Sequence, residues 1–183
     1  MESNNKKSIY KYAAEAGIPI GLLLTAMSAC MLMGLHHPAL TSLLLPLALT
    51  FPVLLWFLLR QISKKEPDYA KVSALWLGGI YSVIFGSIIC MLFSAAYIVF
   101  AEPGFVYEYV TMAISSIENS PLRGEYAATT ALMREAIEAR ILPSGMEFVA
   151  TMGWTTCFSG SMLSLLIAVI IVNSKKRNGI SCA

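Results

Sequence analysis

Apolar residues in this chain gather into four long runs, and the charges fall almost entirely between them. The runs extend from Ala16 to Leu35, from about Pro38 to Leu59, from Val72 to Phe100 and from Phe148 to Val172, and none contains an Asp, Glu, Lys or Arg. Each run is apolar all round a helical wheel, with no polar face to turn toward water. A helix rises about 1.5 Å per residue, so about 20 residues cross a hydrocarbon core of about 30 Å. Spanning strands would be about 10 residues long and would alternate between faces, which these runs do not do. The pattern predicts an all-α polytopic membrane protein, a single membrane domain over residues 1–183 with four transmembrane helices.

Composition points the same way: 57% of the residues are hydrophobic and only 13% charged, with a mean hydropathy of +0.68. The partners this leaves are the lipid bilayer and other membrane proteins, and no nucleic acid is expected. The four cysteines do not form a disulfide framework, because Cys30, Cys90 and Cys157 lie inside apolar runs and Cys182 in the tail. The segment MSAC ending at Cys30 loosely resembles a lipoprotein cleavage site. The apolar run continues past it to Leu35, however, whereas a signal peptide turns polar after a short core, so the segment is expected to be retained. The ending NGISCA is not a prenylation box, since its Cys is second from the end.

The charges set an orientation. Lys6, Lys7, Lys11, Arg60, Lys64, Lys65, Lys71, Lys175, Lys176 and Arg177 all flank the runs on one side, which makes ten of thirteen basic residues. The turn LHHP has no Lys or Arg, and the 47-residue segment 101–147 has three Arg against seven Glu. Basic flanks are retained in the cytoplasm, so both termini are expected there and the insert 101–147 in the periplasm of a bacterial inner membrane. The net charge of +2 thus conceals about +6 inside and −4 outside. A basic rim also attracts anionic headgroups, but topology alone accounts for such a distribution.

Spanning helices associate where small residues let backbones approach. Gly17, Gly21, Thr25 and Ala29 recur every four residues in the first span, and Gly78, Ser82, Gly86, Cys90 and Ser94 in the third. The fourth span offers Ala150, Gly153, Cys157, Gly160 and Ser164 at steps of three and four. A bundle of spans one, three and four is expected. The same seams would also serve another membrane protein or a second copy of the chain. Pro46 and Pro52 in the second span each remove a backbone donor, predicting a bent helix with freed carbonyls near Ser42 and Ala48.

Between Pro103 and Gly145 the sequence reads as an external hairpin of two amphipathic helices broken at NSPLRG. Val106, Tyr109, Val110, Ala113 and Ile117 form the apolar side of the first. Leu132, Met133, Ala136, Ile137 and Ile141 form that of the second, with Arg134 and Glu138 one turn apart on its polar side. Pro143 and Gly145 are read as its end. Such helices cap the bundle, lie on the membrane surface or bind a partner, and the excess of Glu argues against the lipid surface.

Candidate chemistry is sparse. Glu15, at the mouth of the first span near Gly17 and Pro19, reads either as an interfacial carboxylate at a helix start or as a proton or cation site. The adjacent His36 and His37 make a poor chelate, and further ligands would have to come from distant groups such as Glu102 or Glu147, so no metal site is expected. No phosphate-cradling loop, zinc-protease helix or Cys-x-x-Cys pair occurs, and no histidine is available in the external segment or last span to activate a serine. No catalytic residues and no cofactor are expected.

The first span YAAEAGIPIGLLL, the basic link LLRQISKKEPDYAKV, the long insert and the KKR tail together resemble an uncharacterised family of four-span bacterial inner-membrane proteins, a domain of unknown function. The resemblance implies an accessory role beside glycosyltransferases that act on lipid-linked substrates. The expected function is a non-catalytic anchor, scaffold or accessory subunit. The alternative is a small transporter or lipid-handling protein in which the second span moves and Glu15, Thr25 and Ser82 line a path.

Overall fold

A computed structural model describes residues 9–65, 71–121 and 124–180. Glu2, Lys6, Lys7, Glu66, Asp68, Arg123 and Cys182, which enter the charge and cysteine counts above, lie outside the described residues. The described elements are α1 (Ile9–Met33), α2 (Pro38–Thr41), α3 (Leu44–Lys65), α4 (Val72–Phe100), α5 (Phe105–Glu118), α6 (Ala127–Glu138) and α7 (Gly145–Ile180). Among the described residues four stretches are long and apolar enough to cross a membrane: Tyr10–Met33, Ala39–Lys64, Val72–Phe100 and Gly145–Lys175. The protein is an all-helical, multi-pass membrane protein.

α4 is the central helix, packed most extensively on α1 and α7. A Cβ on Gly17 would fall 2.7 Å from Phe85 Cβ, and one on Gly21 3.2 Å from Gly86 Cα, so α1 and α4 run parallel in backbone contact. A Cβ on Gly79 would meet Ser164 Cβ at 2.6 Å, one on Gly160 would meet Val83, and one on Gly153 would meet Met91, so α7 runs antiparallel to α4. In lipid, where tails are as apolar as any side chain, such close approach supplies the dispersion contacts that hold helices together.

One cluster of buried residues joins all four spanning helices through Ile20, Leu24, Leu55, Leu59, Val83 and Ile167. A second, made by Leu32, Ile98, Phe105, Val106 and Val149, lies at the opposite end of the bundle, where the start of α5 docks. Phe105 is fully buried, its ring 5.8 Å from that of Phe148 and 5.9 Å from that of Tyr109.

The second span departs from the single bent helix read from sequence. The helix breaks at Ser42 and Leu43, and α3 begins afresh at Leu44. Pro46 therefore falls in a first turn, where the missing N–H has no intrahelical partner to lose, and Thr50 Oγ1 donates to its carbonyl at 2.8 Å. Only Pro52 is interior, and α3 remains continuous through it, as α1 does through Pro19. The outer half of α3 is the most exposed part of the bundle, with Leu45, Leu49 and Val53 turned outward at four-residue steps.

α6 also differs from its sequence reading, since it stops at Glu138 and leaves Ile141 beyond the helix. Ile141 N–H bonds to Ala136 O and Arg140 N–H to Ile137 O, while Arg140 takes φ 55°. This Schellman closure satisfies carbonyls of the last turn three residues before Pro143. The start of α7 is set by a capping box: Glu147 Oε2 accepts from Ser144 N–H at 2.7 Å and from Ser144 Oγ at 3.0 Å, and Glu147 N–H donates back to Ser144 Oγ.

Candidate functional site

Polar side chains buried inside the spans are hydroxyls rather than charges, and the half-buried Cys90 thiol joins them. Ser94 Oγ donates to Cys90 O, which leaves Ser28 to donate to Ser94 Oγ at 2.6 Å across the α1–α4 contact. Cys90 Sγ donates to Leu24 O of α1 at 3.5 Å. Trp76 Nε1 donates to Ser161 O, tying α4 to α7. Ser82 and Ser164 are buried and bond back to Gly78 and Gly160 carbonyls of their own helices. Thr25 Oγ1 and Ser87 Oγ are buried without a hydrogen-bond partner. Ser87 lines a narrow cleft between α4 and α7 with Cys90, Met91, Gly153 and Thr156.

The structure places the small residues as follows. Gly17 and Gly21 meet α4 around Gly86, Gly153 and Gly160 meet α4 from α7, and Gly78 is buried. Cys157, Thr25 and Ala29 are half-buried, and Ala150 is exposed. Beyond Gly21 the contact runs through Leu24 and Ser28 rather than Thr25 and Ala29. The α7-facing stripe of α4, Gly79, Val83, Ser87 and Met91, is not legible in the sequence because it mixes one glycine with bulky residues.

Glu15 is exposed at a shallow groove between α1 and α3, lined also by Tyr12, Leu58 and Gln61. Tyr12 and Gln61 carry hydrogen-bonding groups in the same groove, and no second carboxylate lines it.

At the opposite end the fold brings together residues far apart in sequence. Tyr97 Oη donates to Glu102 Oε1 at 3.0 Å, and His36 Nδ1 lies 3.4 Å from the same oxygen. Glu102 Oε2 is buried with no partner. Among the described residues no group of three His, Cys, Asp or Glu side chains is placed to hold a metal ion. What the Glu102 cluster does is tie the turn after α1 to the end of α4.

α5 and α6 lie beyond the spans and contact each other. Arg134 pairs with Glu118 of α5 instead of Glu138 one turn along its own helix. Val106 and Ile114 are buried, while Val110, Ala113 and Ile117 are half-buried. Of the second apolar set, Met133 and Ile137 are half-buried, but Leu132 is 66% and Ile141 72% exposed. Tyr107, Tyr109, Met112 and Tyr126 are exposed as well. A groove of about 360 Å³ runs between the two helices beside Tyr107, Ile114, Arg134 and Ile137.

A family described as a protein of unknown function (DUF4199) matches residues 15–173, from the first turns of α1 to the last third of α7. The chain belongs to the DUF4199 family. The DUF4199 match runs from within the first span through α5 and α6 into the fourth span. No curated protein matches this DUF4199 chain, and no solved structure does.

Proposed function

We propose that this protein is a non-catalytic membrane anchor whose α5 and α6 present a docking surface to a partner protein at the membrane face. The observation that carries the reading is the exposed apolar and aromatic set on these two helices. Tyr107, Met112, Leu132 and Ile141 are 43–72% exposed, although α5 is firmly seated through Phe105. Partner-facing surfaces are enriched in Tyr and Met. The small-residue seams of α1, α4 and α7 are spent on each other, which moves the partner surface to the external helices. Among the described residues the polar groups buried in the spans are hydroxyls, with no ionised side chain there to carry acid–base chemistry or a transported charge. On the positive-inside rule the basic end of the bundle is cytoplasmic and α5–α6 are periplasmic in a bacterial inner membrane.

The test is gentle purification from native membranes and identification of what travels with the protein. A partner should be retained by the native chain and lost from the Leu132→Glu, Ile141→Glu double variant at unchanged helix content. A solitary protein that carries out transport or turnover once reconstituted would sink the proposal.

A further inference from the structure

At the basic end of the bundle α3 and α7 leave an open groove of about 320 Å³ between them. Its floor is apolar, made by Trp56, Ile170 and Ile171, and its rim is cationic, made by Arg60, Lys64 and Lys175. No carboxylate lines it. None of the three cations is seen in an ion pair with a described residue. Two of the cations are held in place by other means. The Arg60 guanidinium sits 4.9 Å from the centre of the Trp56 ring, and Lys175 Nζ donates to Ser63 O at 2.7 Å. That bond uses one of the three ammonium hydrogens and leaves two to offer.

The floor and rim meet at a particular depth. Trp56, Ile170 and Ile171 belong to the apolar runs, which end at Leu59 and Val172, and the cations follow immediately after. The groove therefore straddles the boundary between hydrocarbon and headgroups. Three positive charges with no described carboxylate beside them repel one another and favour an anion, and the planar donor fork of Arg suits phosphate oxygens. A free phosphate would leave the apolar floor unused, whereas an acyl chain would cover it.

We propose that this groove is a binding site for an anionic phospholipid, with its phosphodiester among Arg60, Lys64 and Lys175 and an acyl chain along Trp56, Ile170 and Ile171. The site is independent of the docking surface on α5 and α6. It holds one end of α3, the least buried span, against α7.

The experiment uses the full chain, delipidated in an uncharged detergent and titrated with phosphatidylglycerol, phosphatidylcholine or inorganic phosphate while thermal unfolding is followed. Phosphatidylglycerol should raise the melting temperature saturably, with little effect of the other two. The Arg60→Gln, Lys64→Gln double variant should bind phosphatidylglycerol on the order of thirtyfold more weakly, from about 1 kcal/mol per basic residue. Lys11→Gln, which removes a charge from the same end of the bundle outside the groove, should bind as the native chain does. Because both variants change only exposed side chains, their unfolding without lipid should match the native chain's. Equal stabilisation by phosphatidylcholine, an equal shift from inorganic phosphate alone, or an equal loss in Lys11→Gln would each overturn the assignment.

Discussion

Gly86 illustrates how much one missing side chain decides in this bundle. A Cβ there would lie 2.7 Å from Ile20 Cγ2 and 2.9 Å from the backbone N of Gly21, and a backbone atom in α1 cannot swing aside as a flexible side chain would. Gly86→Ala should therefore destabilise the protein by about 1–3 kcal/mol in denaturant titration of detergent-solubilised protein, by forcing α1 away from α4. Gly124, where an added methyl would meet nothing within 4 Å, should accept Ala with a change within about 0.5 kcal/mol. Arg140 poses the reverse case, an L side chain at φ 55° where the Schellman closure favours glycine. Arg140→Gly should stabilise the end of α6 by about 1 kcal/mol, seen as slower amide exchange at Ile141. Unchanged exchange there would mean that the strain is relieved in some other way. The spans and the close approaches at Gly17, Gly21, Gly86, Gly153 and Gly160 are legible in the sequence, because hydrophobicity and side-chain size are properties of single residues, whereas the one at Gly79 is not. The Arg140 turn is not, since nothing about arginine announces a left-handed backbone.

At the scale of elements the boundaries of α7 and the seat of α5 matter most, because together they hold the external helices against the spans. The Ser144–Glu147 capping box satisfies donors at the start of α7 that have no intrahelical partner. Its signature, Ser-x-x-Glu, stands in PSGMEF, but Pro143 and Gly145 on either side of the serine read more strongly as the end of α6 and mask the start of α7. Ser144→Ala should cost about 1 kcal/mol and fray the first turn of α7, measurable as faster exchange of the Met146 and Glu147 amides. Phe105→Ala should be more severe, about 3–5 kcal/mol, since it empties the middle of a cluster fed by α1, α4, α5 and α7. Limited proteolysis within α5–α6 should then accelerate while the four spans stay intact. Cleavage at the native rate would show that α5 is held by something other than this ring. The break that splits α2 from α3 is hidden for a different reason: leucines on both sides of Ser42 keep hydropathy high across a turn, so an apolar run cannot report where its helix stops.

For the whole molecule the pairing directions constrain topology tightly. α1 parallels α4, α4 opposes α7, and the bundle thus has one end where Lys11, Arg60, Lys64, Lys71 and Lys175 are gathered and another where α5 and α6 sit. Geometry makes these two ends distinct but assigns neither to a compartment. The charge asymmetry carries our proposal that the basic end is cytoplasmic, since Lys and Arg are retained there. The consequence is measurable in bacterial cells expressing a chain whose four cysteines are replaced by serine, with single new cysteines introduced as Asn119→Cys after α5 or Lys71→Cys before α4. Both positions are exposed, so accessibility to reagent depends on the membrane alone. A membrane-impermeant maleimide should label Asn119→Cys when only the outer membrane has been made permeable, and Lys71→Cys only after the inner membrane is opened. The reverse order of labelling would place the basic end outside. The proposed docking surface of α5 and α6 would then face the cytoplasm, and the proposed lipid groove between α3 and α7 would have to draw its lipid from the other leaflet.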